Sequence, residues 1–403
     1  MFSRWISQFR RMGPAWIVSA VACGPATLAS VSIAGSSFGY RLLWVVVLSA
    51  VFGTTAQYLA ARIGILEGRG IIAAASQRLS PLWGWVLAVD AVLATYLAAM
   101  VLMNALVGVT GLVTGLSSPW WGLAYAVLFS ALLMRGGYPW LELLCKVLVV
   151  LVVACFVIIA LNARIDPAAL ARGLVPGLPA GAGSALMAAA IMGGAVHITI
   201  IGMHTYNTNA RGWGRAELPL ARFDTVVSMG LAFGLYSLAI FLVGAAVLHP
   251  AGIKVRLASD VARALGPLLG GSALAVFLAG LWAATFSTIM PTYLAAAYFI
   301  FDKAGLPPDR RDNRFRAVLA GGVFLSALGP FIKGGFFLLL PLMLALGLCG
   351  TPLILGVILY LLNQKRFYGQ EVNSAWLNIL GFITLAITTL LAGRFLWVKL
   401  AAL

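Results

Sequence analysis

A handful of polar side chains stand out in a chain that is otherwise mostly apolar. "GGAVHITIIGMHTY" carries His197, Thr199 and His204, and the two histidines, seven residues apart, fall on one face of a helix. "ACGPATLAS" places Cys23, Gly24, Pro25, Thr27 and Ser30 together. "VDAVLATYLAAM" holds Asp90, the one acid well inside an apolar run, and Tyr96 six residues later. Imidazole and thiolate suit soft cations, whereas hard divalent ions want oxygen ligands, usually carboxylates. None of the residues around the first and sixth apolar runs is negative at neutral pH unless Cys23 is deprotonated. A bare dication is expensive to desolvate there.

Three chemistries stay open for such a set. Hydroxyls and helix-end carbonyls can hold a cation through its water shell. Cys23 and His197 can ligate a soft cation directly. The substrate can also be a non-metal solute: neutral and polar, a small organic cation, or an anion drawn to the positive helix end at Pro25. Each residue has a structural alternative as well. Cys23 suits a small buried apolar site, and His197 an interhelical hydrogen bond. Thr27 suits a helix start, His204 a structural or gating place, and Tyr96 plain packing. Intramembrane acids are functional by default, which makes Asp90 a candidate for gating or coupling with His204 and Tyr96. Glu142 and Lys146, four residues apart, read as an intrahelical pair. The sequence has no nucleophile–base arrangement, so an enzyme is not expected, nor is a cofactor.

These residues must be positioned by membrane helices. Of 403 residues, 62% are hydrophobic and only 9% charged; soluble domains run nearer 25%. Apolar runs long enough to cross a bilayer fall near 13–37, 41–65, 82–104, 119–136, 140–163, 184–207, 224–248, 270–299, 316–333, 336–363 and 374–395, eleven spans. Most of the Lys and Arg behind the +16 net charge fall in segments on one side. By the positive-inside rule this puts the N-terminus in the cytoplasm and the C-terminus outside. A bacterial-type inner membrane is the expected home. The basic balance therefore speaks for the lipid bilayer as partner and against nucleic acid. All four cysteines (Cys23, Cys145, Cys155, Cys349) fall inside spans, where a disulfide framework is not expected. "FDKAGLPPDRRDNRFR" reads as a solvated cytoplasmic loop. Oligomeric state is not legible.

Two spans are interrupted. The first carries Gly24-Pro25 at its middle, and the sixth carries Gly193-Gly194 and Gly202. Breaks at corresponding positions of two halves point to a transporter's midplane site, because unwound backbone is tolerated there only inside protein or along a cavity.

Several stretches resemble the Nramp family of divalent-metal transporters. They are "GPAWIVSAVACGPATLASVSIAGSSFGYRLLW", "AARIGILEGRG", "GGAVHITIIGMHTY" with "RFDTVVSM", and "NQKRFYG" with "VNSAWLNILGF". The resemblance implies a LeuT-type fold: repeat one over about 13–163, repeat two over about 184–363 and an extra helix over about 374–395, a single transmembrane domain. It also implies alternating access with a metal cation held between spans 1 and 6. The site departs from the family. Its Asp-Pro-Gly-Asn falls on Gly24, Pro25, Ala26 and Thr27, and its Met-Pro-His on His197, Ile198 and Thr199. A second family histidine matches His204. Acids of its third span fall on Val89, Tyr96 and Ala99, with Asp90 one residue off; Glu142 and Asp224 match family acids. A span 8 glutamine becomes Phe286 and a polar position of span 10 becomes Gly350. These changes imply altered selectivity and weak or absent proton coupling by the family route. A sensor that no longer transports is the least favoured reading.

Overall fold

The first helix is short because the sequence stops it. In the computed structural model, α1 (Pro14–Ala22) ends at Cys23, and Gly24 is extended with φ −77° and ψ −179°. That conformation is what a residue before proline prefers. Pro25 then opens α2 (Pro25–Phe38), with its fixed φ and absent N–H suited to a first helical position. The far end of α1 is capped from elsewhere: Asp224 accepts hydrogen bonds from the backbone of Gly13 (3.3 Å) and Ala15 (3.0 Å).

The structure describes residues 12–135, 163–263, 273–309, 311–332 and 334–401, with isolated positions between 143 and 161. Most of the expected fifth span, the Glu142–Lys146 pair, Cys145 and Cys155 lie outside the described residues. Among those described, every regular element is helical. After α2 come α3 (Leu43–Glu67), α4 (Pro81–Thr114), α5 (Trp121–Arg135), α6 (Ala182–Val196) and α7 (Ile198–Ala210). Then α8 runs from Leu218 to Leu248 through two π-helical stretches, Val226–Phe233 and Gly244–Leu248. The rest are α9 (Ala273–Lys303), α10 (Asn313–Ser326), α11 (Phe336–Cys349), α12 (Thr351–Leu362) and α13 (Ala375–Leu400).

Seven helical stretches among the described residues are long and apolar enough to cross a membrane. One of them, Pro25–Glu67, runs through two of the eleven expected spans, and the expected fifth lies mostly outside the described residues. The first span is two half-helices. The ninth, expected over 316–333, is the 14-residue helix α10 followed by turns, because the chain bends at Gly329-Pro330.

The second break is also corrected. It falls at His197, extended with φ −72° and ψ 155°, not at the glycines. Gly193, Gly194 and Gly202 are all helical, and they let neighbours approach. A Cβ on Gly194 would lie 2.6 Å from the Thr27 hydroxyl, and one on Gly202 2.5 Å from the Phe299 ring. What unwinds the chain at His197 is competition for its carbonyls. Gln57 donates to Ala195 O (3.4 Å) and Thr351 to Val196 O (2.5 Å), so both acceptors are engaged from outside the helix. The β-branched run Ile198–Ile201 has little helix propensity to resist this.

Candidate substrate site

The two breaks face one another near the middle of the bundle. The Thr27 side chain on α2 lies against Gly194, one turn before His197. His197 is buried, with its ring beside Gly347 of α11. Thr199, in the first turn of α7, meets Thr95 of α4 at 2.9 Å; Thr95 donates to Ala91 O at 2.6 Å, so Thr199 is the donor to Thr95. Gly24, Pro25, Thr27, His197 and Thr199 thus belong to one neighbourhood of α1, α2, α4, α6, α7 and α11.

Cys23 turns towards other company. Its thiol is buried 3.8 Å from the Ser19 hydroxyl, which itself donates to Ser228 O on α8. Ser30 spends its hydroxyl on Ala26 O (2.7 Å) and Thr27 O (3.1 Å) of its own helix.

The carbonyls at the breaks, which sequence reasoning leaves free, are largely engaged. Tyr236 donates to Gly24 O at 3.2 Å, and Thr288 shares its hydroxyl between Ala20 O (3.2 Å) and Ala284 O (2.7 Å). With Gln57 and Thr351 at the second break, four side chains from α3, α8, α9 and α12 hold the unwound backbone. Buried backbone acceptors need such partners, and none of these four residues stands out in the sequence. The local signal was only a polar residue within an apolar run.

The candidate coupling residues are dispersed. Asp90 is half-buried on α4, and its carboxylate occupies the space a side chain at Gly350 would fill, in the interruption between α11 and α12. Its Oδ2 is buried and accepts no hydrogen bond among the described residues. Tyr96 packs against Gly322 of α10, so its neighbour Thr95 is the α4 residue that reaches Thr199. His204 is buried on α7, close to the Gln57 backbone, with neither ring nitrogen in hydrogen-bonding geometry among the described residues. Phe286, at the family's glutamine position, stacks on Trp282 at 5.1 Å and packs against Phe129 at 5.0 Å.

What the arrangement can do chemically is limited by its charge. Hydroxyls, one imidazole and half-helix ends converge at the breaks, with no carboxylate on α1, α2, α6 or α7. Among the described residues no three His, Cys, Asp or Glu side chains come together in a group able to hold a metal ion.

Residues 15–398 match the family model described as "Natural resistance-associated macrophage protein-like", Nramp. The chain belongs to the Nramp family. It is 30% identical over 393 residues to the divalent metal cation transporter MntH of Yersinia pestis, covering 93% of this chain and 92% of that protein. It is 29% identical to the MntH of Deinococcus radiodurans, covering 96% and 89%. Among solved structures it resembles the Eremococcus coleocola manganese transporter, with a TM-score of 0.79 and 18% identity over 97% of this chain and 87% of that one. It also resembles the nucleobase-cation-symport-1 transporter Mhp1, with a TM-score of 0.64 and 17% identity over 97% and 93%. The shared fold is the LeuT-type arrangement that the Nramp resemblance implied. The named Nramp relatives are transporters, not enzymes.

Proposed function

We propose that this Nramp member is a secondary transporter working by alternating access, which moves a metal cation with selectivity altered from that of its relatives. Family membership supports the cation. The neutral donor set at the two breaks carries the altered selectivity. A hard dication has no carboxylate there to offset its desolvation, so its water shell, or a softer ion's affinity for imidazole, has to compensate. Gly24, Pro25, Thr27, His197 and Thr199 form the site. Cys23 joins His197 as a metal ligand only if its thiol turns away from Ser19.

Proton coupling by the family route is weak or absent in this reading, since Val89, Tyr96 and Ala99 replace its acids. The N-terminus is cytoplasmic and the C-terminus outside, with repeats over about 13–163 and 184–363. The basic residues at the ends of α3, α7, α9 and α12 support that orientation. Proteoliposomes carrying a lumenal pH dye test the coupling: uptake without stoichiometric acidification is expected, and stoichiometric acidification contradicts it.

A second reading is favoured by one observation. Tyr236, Thr288, Gln57 and Thr351 already occupy break carbonyls that a cation would use. A neutral polar solute, an organic cation or an anion does not need them.

A further inference from the structure

We propose that Tyr206 and Asp302 form the latch of a gate at the basic end of the bundle, the cytoplasmic end in the orientation above. The proposal rests on the alternating-access reading and names residues outside the substrate site.

The short helix Ile71–Arg78 connects α3 to α4, and its N-cap residue is Gly70, which has no side chain to offer. First-turn amides need acceptors, and here two other helices supply them. The Asp302 carboxylate, in the last turn of α9, accepts from Ala73 N–H at 2.9 Å. The Thr205 hydroxyl of α7 accepts from Ile71 N–H at 3.2 Å. Tyr206 closes the triangle by donating its hydroxyl to the same Asp302 oxygen at 2.8 Å. Its ring stacks on Tyr298 and meets Phe299 edge-on, both with centroids 5.5 Å away. Gly70 is required, because a Cβ there would overlap the Tyr206 ring.

The arrangement joins the half-helix that follows the His197 break to two neighbouring elements, α9 and Ile71–Arg78. A cavity of about 590 Å³ adjoins it, lined by Ala73, Gln77, Tyr206, Asn209, Tyr298 and Asp302 among others, so water can replace the Ala73–Asp302 and Tyr206–Asp302 hydrogen bonds when they part. Asp302 lies in the stretch read from sequence as a solvated loop. It is instead half-buried with Oδ2 accepting two hydrogen bonds, while Asp312 further along pairs with the exposed Arg314.

Movement of α7 away from α9 and Ile71–Arg78 would open a route from the cavity towards Thr199, which is 1% exposed in the latched state. A merely structural contact would not make that opening one-sided. The test uses the full chain with Cys23, Cys145, Cys155 and Cys349 replaced by alanine and Thr199→Cys as reporter, in right-side-out and inside-out vesicles. Labelling uses a membrane-impermeant methanethiosulfonate. Tyr206→Phe keeps the stacked ring and removes one bond, and Asp302→Asn keeps the shared acceptor oxygen but removes the charge that strengthens both bonds to it. Losing one such bond shifts a two-state balance about fivefold. Each variant is expected to raise labelling from the cytoplasmic face by that factor and leave the outer face unchanged. Unchanged labelling, or an equal rise from both faces, overturns the latch. Failure of metal uptake in the parent protein removes the cation reading but leaves this comparison standing.

Discussion

Thr351 on α12 donates its hydroxyl to the Val196 carbonyl at 2.5 Å, so the residue after one helix interruption holds open another. Gly350, itself in the right-handed helical region, links α11 to α12 at the first, and Val196 precedes the extended His197 of the second. The Asp90 carboxylate fills the space over Gly350. The α11–α12 junction thus ties α4, through Asp90, to the extended backbone at His197, through Thr351.

Thr351→Val keeps the shape of the side chain but leaves a buried carbonyl without its donor. Such a loss costs about 1–3 kcal/mol. A lower melting temperature of purified protein is expected, with recovery in Thr351→Ser. Equal melting temperatures for Val and Thr would mean that water or the helix takes over the Val196 carbonyl.

Restoring the family's acid takes more than one substitution. A Cβ on Gly24 would lie 2.5 Å from the Thr288 hydroxyl and 2.8 Å from Val21 O. Gly24→Asp with Thr27→Asn alone is expected to fold poorly and gain no Mn²⁺ affinity. Adding Thr288→Ala removes the side-chain clash and leaves only the Val21 carbonyl to shift, and Mn²⁺ affinity should then rise about tenfold or more, as a paired carboxylate warrants. Calorimetric titration of the double and triple variants checks this. Equal affinities would place the ion elsewhere.

Gly350 and Asp90 should behave as a coupled pair. Gly350→Ala overlaps the carboxylate and is expected to destabilise by about 1–3 kcal/mol, as overpacking does. Asp90→Ala should relieve most of that cost, giving a coupling energy above about 0.5 kcal/mol in a double-mutant cycle. Additive effects would mean that the two do not touch.

How much of this was legible in the sequence differs from break to break. The first is local: a proline after a glycine stops α1 wherever the rest of the chain lies. The second depends on Gln57 and Thr351, more than a hundred residues away in either direction. Glycine weakens a helix in general, but Gly194 and Gly202 of span 6 serve close packing against Thr27 and Phe299. Asp302 was hidden for a related reason: a charged run at a helix end looks solvated, and only the fold brings Ala73 and Tyr206 to it. Helical phase also matters, since Thr95 and Tyr96 are adjacent and yet face α7 and α10.

Alkaline pH should loosen the far end of α3. Tyr368 donates to Glu67 at 2.6 Å, and Arg78 donates to the same carboxylate at 3.1 Å. Burial, then the Glu67 carboxylate, raises the Tyr368 phenol above its ordinary value. The folded state therefore keeps this proton after the unfolded chain has lost it. The contribution is fully present below about pH 10 and is lost as pH rises from there towards the folded value. Melting temperature should fall more steeply between pH 9 and 11 (roughly the phenol range) in the parent than in Tyr368→Phe. Parallel curves would mean that the phenol is not held by Glu67.

The central claim is that the His197 break, without a carboxylate, selects the substrate. The most direct measurement is uptake of Mn²⁺, Mg²⁺, Zn²⁺ and Cd²⁺ into proteoliposomes with a metal-sensitive dye, comparing the parent protein, His197→Ala and a reconstituted MntH relative. Saturable uptake of at least one ion, with weaker Mn²⁺ affinity than the relative and lost in His197→Ala, is the predicted result. Mn²⁺ uptake as tight as the relative's and indifferent to His197→Ala would contradict it.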